Sequence, residues 1–269
     1  MADNEELRNN LVSFKEAFRD YTDCYTLIGG SACFILMDDA GLSFRATHDI
    51  DMILVFEDKR KEFGSVFWNF IIRGGYTCGW KEQDAHYYRF TNPDPGFPKQ
   101  IELFSRREDF QLDERIIPVH IADDVSSLSA IALDDDFYSF MMKGRRVVDE
   151  ISVLDAIYLI PFKMYAWLNN RDFRESGHSV NTDDIKKHKN DVFRLLALVN
   201  PNDRIEVSGN VKDAVDRFCN EVSNEPVDTS RMGIRRSKEK AIELLRTIYG
   251  ISDTCLKITG VFTEDLEQA

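Results

Sequence analysis

Positive charge is in short supply in this chain: 34 lysines and arginines stand against 47 aspartates and glutamates, a formal charge of −13. That balance argues against a broad basic surface of the kind that tracks a nucleic-acid backbone, while leaving room for a local basic cleft. Cysteine is also sparse. Cys24, Cys33, Cys78, Cys219 and Cys255 are odd in number, scattered, and contain no Cys-x-x-Cys pair. They exclude a disulfide framework and read as small buried hydrophobes in a reducing compartment. Five histidines, equally dispersed, give no zinc-site spacing. No stretch approaches the roughly 18 uninterrupted apolar residues of a membrane span. The opening Met-Ala-Asp-Asn-Glu-Glu is acidic where a secretory signal is basic and then apolar. The expected setting is the cytoplasm, with no membrane partner.

What is present is an ordinary globular composition, 43% hydrophobic and 30% charged over 269 residues, enough for one large domain or two compact ones. Leu7, Leu11, Phe14, Phe18 and Tyr21, at steps of three and four, predict a helix over 5–21. Tyr25–Ile28 reads as a strand stopped by Gly29-Gly30, followed by a helix over 31–39. His48–Phe56 predicts a second strand and 58–72 another helix. Strands are expected around 76–80, 86–90 and 100–105, the last two parted by the turn-rich Asn92–Pro98. Further short strands are expected near 116–133 and 137–149. The texture then turns helical. Ser152-Val-Leu-Asp155 resembles a capping box opening a helix to about Asn170, which Pro161 should kink or split. Helices are expected over 183–199, 211–222 and 237–249. The expected class is α+β: a mixed sheet with flanking helices over 1–150, then a mainly helical domain over 151–269.

The chemistry is concentrated in Ile28-Gly-Gly-Ser31 and Arg45-Ala-Thr-His-Asp-Ile-Asp-Met-Ile-Leu-Val55. Alternation along a strand puts Asp49 and Asp51 on one side, with Ile50, Met52 and Leu54 toward a core. Two aspartates on an apolar strand repel each other, and burying them costs several kcal/mol per ion, roughly, unless a cation sits between them. A divalent metal with a preference for oxygen answers that problem. Glycine at a strand-to-helix turn lets the backbone approach a ligand, and the helix N-terminus then attracts an anion. A phosphate-binding turn beside a carboxylate pair is what metal-assisted nucleotidyl transfer requires. Glu102, alone between Ile101 and Leu103 on an expected strand, is the candidate third acid.

Gly-Gly-Ser, a helix, Arg-x-Thr-x-Asp-x-Asp on a strand and then an isolated strand carboxylate resemble the nucleotidyltransferase superfamily with the DNA polymerase β-like fold. Within it the chain is similar to the AbiEii-type branch of toxins and related nucleotidyltransferases. The resemblance covers about 24–105 and, more loosely, 150–199. It implies a transferase that moves a nucleoside monophosphate from an NTP to an acceptor hydroxyl, with Mg2+ in a two-metal site or Mn2+ in its place. Asp49, Asp51 and Glu102 are then both metal ligands and catalytic acids. Gly29, Gly30 and Ser31 hold the triphosphate with Lys163 reaching it, Asp184 and Lys187 brace the cleft, and Arg45 joins the nucleotide-binding residues. The implied acceptor is a small molecule, a protein side chain or a tRNA end, the only nucleic acid considered, and an antitoxin protein is a further implied partner. One departure is the spacer: eighteen residues lie between Gly30 and Asp49, longer than in many members of the family.

Plainer readings stand beside these. Arg45 can pair structurally with a nearby acid, and Lys163 can snorkel from a buried helix face. His48 is expected to face away from Asp49 in a structural role. Lys186-Lys187-His188-Lys189 reads as a solvated helix face. Tyr87, Tyr88, Phe90 and Phe97 read as packing, and Asp134-Asp135-Asp136 as a hydrated turn. The rival functions are a nucleotide-binding module that does not transfer and a protein-interaction module whose acidic face meets a basic partner.

Overall fold

The computed structural model describes residues 2–55, 60–78, 88–104 and 134–252. Helix α1 (Ala2–Phe18) buries Leu7, Leu11, Phe14 and Phe18 and passes into a tighter turn over Arg19–Tyr21. Strand β1 (Tyr25–Ile28) is buried along its length and leads directly into α2 (Gly29–Asp39). After β2 (Asp49–Leu54) come α3 (Arg60–Arg73), β3 (Thr77–Cys78), β4 (Tyr88–Thr91) and β5 (Gln100–Phe104). The strands expected near 116–133 lie outside the described residues.

The chain resumes with α4 (Asp135–Lys143), β6 (Arg145–Val148) and β7 (Ile151–Leu154). Residues 137–143, expected as strand, are therefore helical. Asp134 caps them, its Oδ1 accepting from the amides of Asp136 and Phe137 at 2.9 and 3.0 Å. Phe137, Phe140 and Met141 then fall on one buried helix face. Ser152 does not open a helix either. It sits buried inside β7, and α5 (Ala156–Glu175) begins after Asp155. α5 is a single helix through Pro161 and ends five residues beyond the expected Asn170. Proline removes the amide that would bond the carbonyl of Ile157, and the buried hydroxyl of Tyr249 donates to that carbonyl instead, at 2.6 Å. The remaining helices are α6 (Thr182–Leu195), α7 (Gly209–Val222) and α8 (Lys238–Ile248).

Seven strands form one mixed sheet in the order β3-β4-β5-β2-β1-β7-β6. β1 runs antiparallel to β2 and parallel to β7, while β2 runs parallel to β5. Residues opposite one another in a ladder share a face. Tyr25 and Phe90 belong to the face covered by α1 and α3, where Phe14 meets Tyr25 at 5.7 Å and Phe67 meets Phe90 at 5.4 Å between ring centroids. Ile28, Asp51, Glu102 and Arg89 are successive cross-strand partners and share the other face. α2 packs beside that sheet and against α5 and α6. Among the described residues no helix is long and apolar enough to cross a membrane.

Candidate functional site

A cleft of about 460 Å³ opens on this second face. It is lined by Gly29 and Gly30, the 45–48 loop, Asp49, Asp51, Arg89 and Glu102 from the sheet, Lys163 and Asn170 from α5, and Asp184, Lys187 and His188 from α6. All of the expected site residues except Ser31 line it. Ser31 is wholly buried, and its hydroxyl donates to the carbonyl of Asp49, so it fastens α2 to β2 and does not face a ligand.

The parallel register of β2 and β5 sets Asp51 directly across from Glu102 and Asp49 across from Gln100. Asp49 lies at the exposed mouth, while Asp51 and Glu102 are each only 8% exposed. Asp51 feels burial first and the neighbouring Glu102 second, and together they push its carboxyl up to about 8. Glu102 is also raised, by burial above all, although Arg89 pulls against it. Its Oε1 accepts from Arg89 Nε at 2.7 Å and from Gln100 Nε2 at 2.8 Å. Among the described residues no three His, Cys, Asp or Glu side chains are gathered tightly enough to hold a metal as they stand. The donor set nevertheless suits a hard divalent cation: three carboxylates on one side, two of them buried and raised chiefly by that burial.

The glycine elbow is built around Asp51. Gly29 has φ +71°, and a Cβ placed there would lie 1.7 Å from Asp51 Oδ2. A Cβ on Gly30 would lie 2.3 Å from Thr47 Oγ1. Both glycines thus admit side chains of this chain as well as presenting the backbone. Ile28 precedes α2 without any side-chain cap, so the first turn of the helix offers its amides at the cleft wall.

The long spacer after α2 is accounted for by the loop it supplies. Arg45 grips Asp191 with two hydrogen bonds, Nε to Oδ1 at 3.0 Å and Nη2 to Oδ2 at 2.7 Å. Asp191 is fully buried and also lies 3.6 Å from Lys163 Nζ and 3.2 Å from Arg194 Nη1. Burial works to raise its carboxyl, but Lys163 and Arg45 outweigh that and hold it below the usual range. Lys163, 2% exposed, reaches the cleft from inside this cluster. Lys187 pairs with Asp184 at 2.7 Å along α6.

Two expectations change. His48 lines the cleft and does not face the core. His188 and Lys189 are buried, not solvated: Lys189 binds Glu225 at 3.2 Å and the carbonyl of Pro226 at 3.0 Å. Burial, then Lys163 and Lys187, hold His188 well below the usual imidazole range, and its Nδ1 has no hydrogen-bond partner among the described residues. Phe90 and Phe97 are packing residues, Phe97 against Phe70 at 5.2 Å, whereas Tyr87 lies outside the described residues. Arg89 and Asn170 line the site although no motif marked them.

Compared with protein-family profiles, curated proteins and solved structures, the chain has no significant match.

Proposed function

We propose that this chain is a metal-dependent nucleotidyltransferase with the polymerase β-like fold, nearest to the AbiEii-type branch. The observation that carries the reading is the register of β2 against β5, which seats Glu102 beside Asp51 on the face that bears Asp49, at the foot of an uncapped helix N-terminus. Asp49, Asp51 and Glu102 would hold Mg2+ or Mn2+. Bound there, the metal would neutralise phosphate charge and polarise the bond to be broken. The first-turn amides of α2, with Lys163 and Lys187, would orient the triphosphate. In the reaction an acceptor hydroxyl oxygen bonds to the α-phosphorus, the bond to the bridging oxygen of the β-phosphate breaks, and pyrophosphate leaves. The hydroxyl proton passes to Glu102, whose raised carboxyl suits it as a base.

The test is transfer of label from each α-labelled NTP, with magnesium, to a cell extract. Wild type should label a component of the extract, and Asp51→Asn should lower that labelling by about 10²–10³-fold or more without unfolding the chain. Retained labelling in Asp51→Asn would overturn the reading. The ion pair between Arg89 and Glu102 favours a second reading, nucleotide binding without transfer, because it engages the third carboxylate with a cation of the chain itself. Calorimetry that finds tight magnesium–NTP binding with no pyrophosphate released would select it.

A further inference from the structure

A second concavity, of about 920 Å³, lies between the loop after α2, the end of α6 and the start of α8. Arg194, Arg235, Arg236 and Lys240 line it, and among the described residues no aspartate or glutamate does. In a chain whose acids outnumber its bases 47 to 34, that is a local reversal of sign. Arg194 is committed to Asp191 at 3.2 Å, but Arg235, Arg236 and Lys240 make no ion pair among the described residues. Lys240 and Ala241 stand in the first turn of α8, where the helix dipole adds to the positive potential.

The floor is apolar. Met37, Leu196, Val199 and Ala241 form its buried part, and Leu42 is 40% exposed above them. Unpaired Arg235 and Lys240 are exposed at its edge. An apolar floor with a charged, solvent-facing rim is the anatomy of a protein-binding surface, not of a small-anion pocket, in which cations converge inward and are buried. Among the described residues no aromatic lines it, and so none there offers the stacking platform that single-stranded nucleic acid uses. Met232, half-buried, adds flexible surface that adapts to a peptide side chain.

We infer that this groove seats an acidic peptide segment of a partner protein, with apolar side chains against Leu42 and Met232 and carboxylates on Arg235, Arg236 and Lys240. The seat is wired to the candidate cleft. Leu42 and Ser43 line the groove, Arg45 to His48 of the same loop line the cleft, and Arg45 and Arg194 hold Asp191 in common. The inference does not depend on the transferase reading.

The test is fluorescence anisotropy with three short labelled probes: a leucine–glutamate peptide, a leucine–lysine peptide of equal leucine content, and an oligo-glutamate. The leucine–glutamate peptide should bind best and lose affinity as salt is raised. The triple variant Arg235→Glu, Arg236→Glu, Lys240→Glu should weaken it by about tenfold or more, and Leu42→Ser should weaken it with every rim charge in place. A circular dichroism melt shows that both variants remain folded; since Leu42 is an exposed site, that variant keeps the test decisive if charge reversal disturbs the loop. Equal binding of the lysine peptide, or binding indifferent to both variants, would overturn the inference. So would a single-stranded RNA oligonucleotide that binds more tightly than the peptide through the same three cations.

Discussion

Gly29 and Asp51 cannot both keep their places if the glycine gains a single carbon. The clash at 1.7 Å and the positive φ act together, so Gly29→Ala should cost about 1–3 kcal/mol in urea unfolding and displace the one carboxylate that the elbow cradles. Loss of label transfer should exceed what the lost stability explains. A second single-atom test lies at the proline of α5. Tyr249→Phe removes the hydroxyl that replaces the missing amide, and should cost about 1–3 kcal/mol with little effect on the cleft. At this scale the sequence was readable where chemistry clashed with surroundings. Asp49, Asp51 and Glu102 are acids among Ile, Met and Leu, and that conflict marked them. Arg89 and Asp191 gain their meaning from partners distant along the chain, Glu102 for the first and Arg45 and Lys163 for the second.

Helix α6 is an element whose place depends on one buried charge. Asp191 ties it to the 45–48 loop and to Lys163 of α5, and Asp191→Ala would leave those cations facing each other without their counter-ion. The expected cost is about 3–5 kcal/mol in denaturant unfolding. Asp191→Asn keeps the shape while removing the charge, and should recover only part of that loss. β1 was legible to its ends because Gly29 stops an apolar run. α4 was misread because Phe137, Tyr138 and Phe140 favour strands individually, while the cap that commits them to a helix belongs to Asp134, one of three acids taken for a turn. β7 was misread because Ser-x-x-Asp also fits a capping box, and only its place beside β1 shows Ser152 to be a strand residue.

Across the whole molecule, Asp51 links stability to pH. Its folded carboxyl is raised from 3.8 to about 8, so the folded chain keeps a proton that the unfolded chain releases. Its contribution is intact below about pH 4, falls as pH rises and levels off above about pH 8. With chelator present, the melting temperature should therefore carry a component that declines over that window and is absent in Asp51→Asn. On the transferase reading, magnesium should raise the melting temperature more at about pH 8 than at about pH 5, because only the ionised carboxylate gains from it.

The strand order has a consequence for how such a protein comes into being. β1 lies between β2, which closely follows it, and β7, which starts more than a hundred residues later, and the cleft draws on segments from Gly29 to His188. A ribosome must release most of the chain before the elbow and its aspartates meet the lysines opposite, and pairings of such long reach assemble slowly. A nascent or clipped fragment that stops short of α5 and α6 therefore carries Asp49, Asp51 and Glu102 without Lys163 and Lys187, and the cleft stays open on that side until both helices have been made.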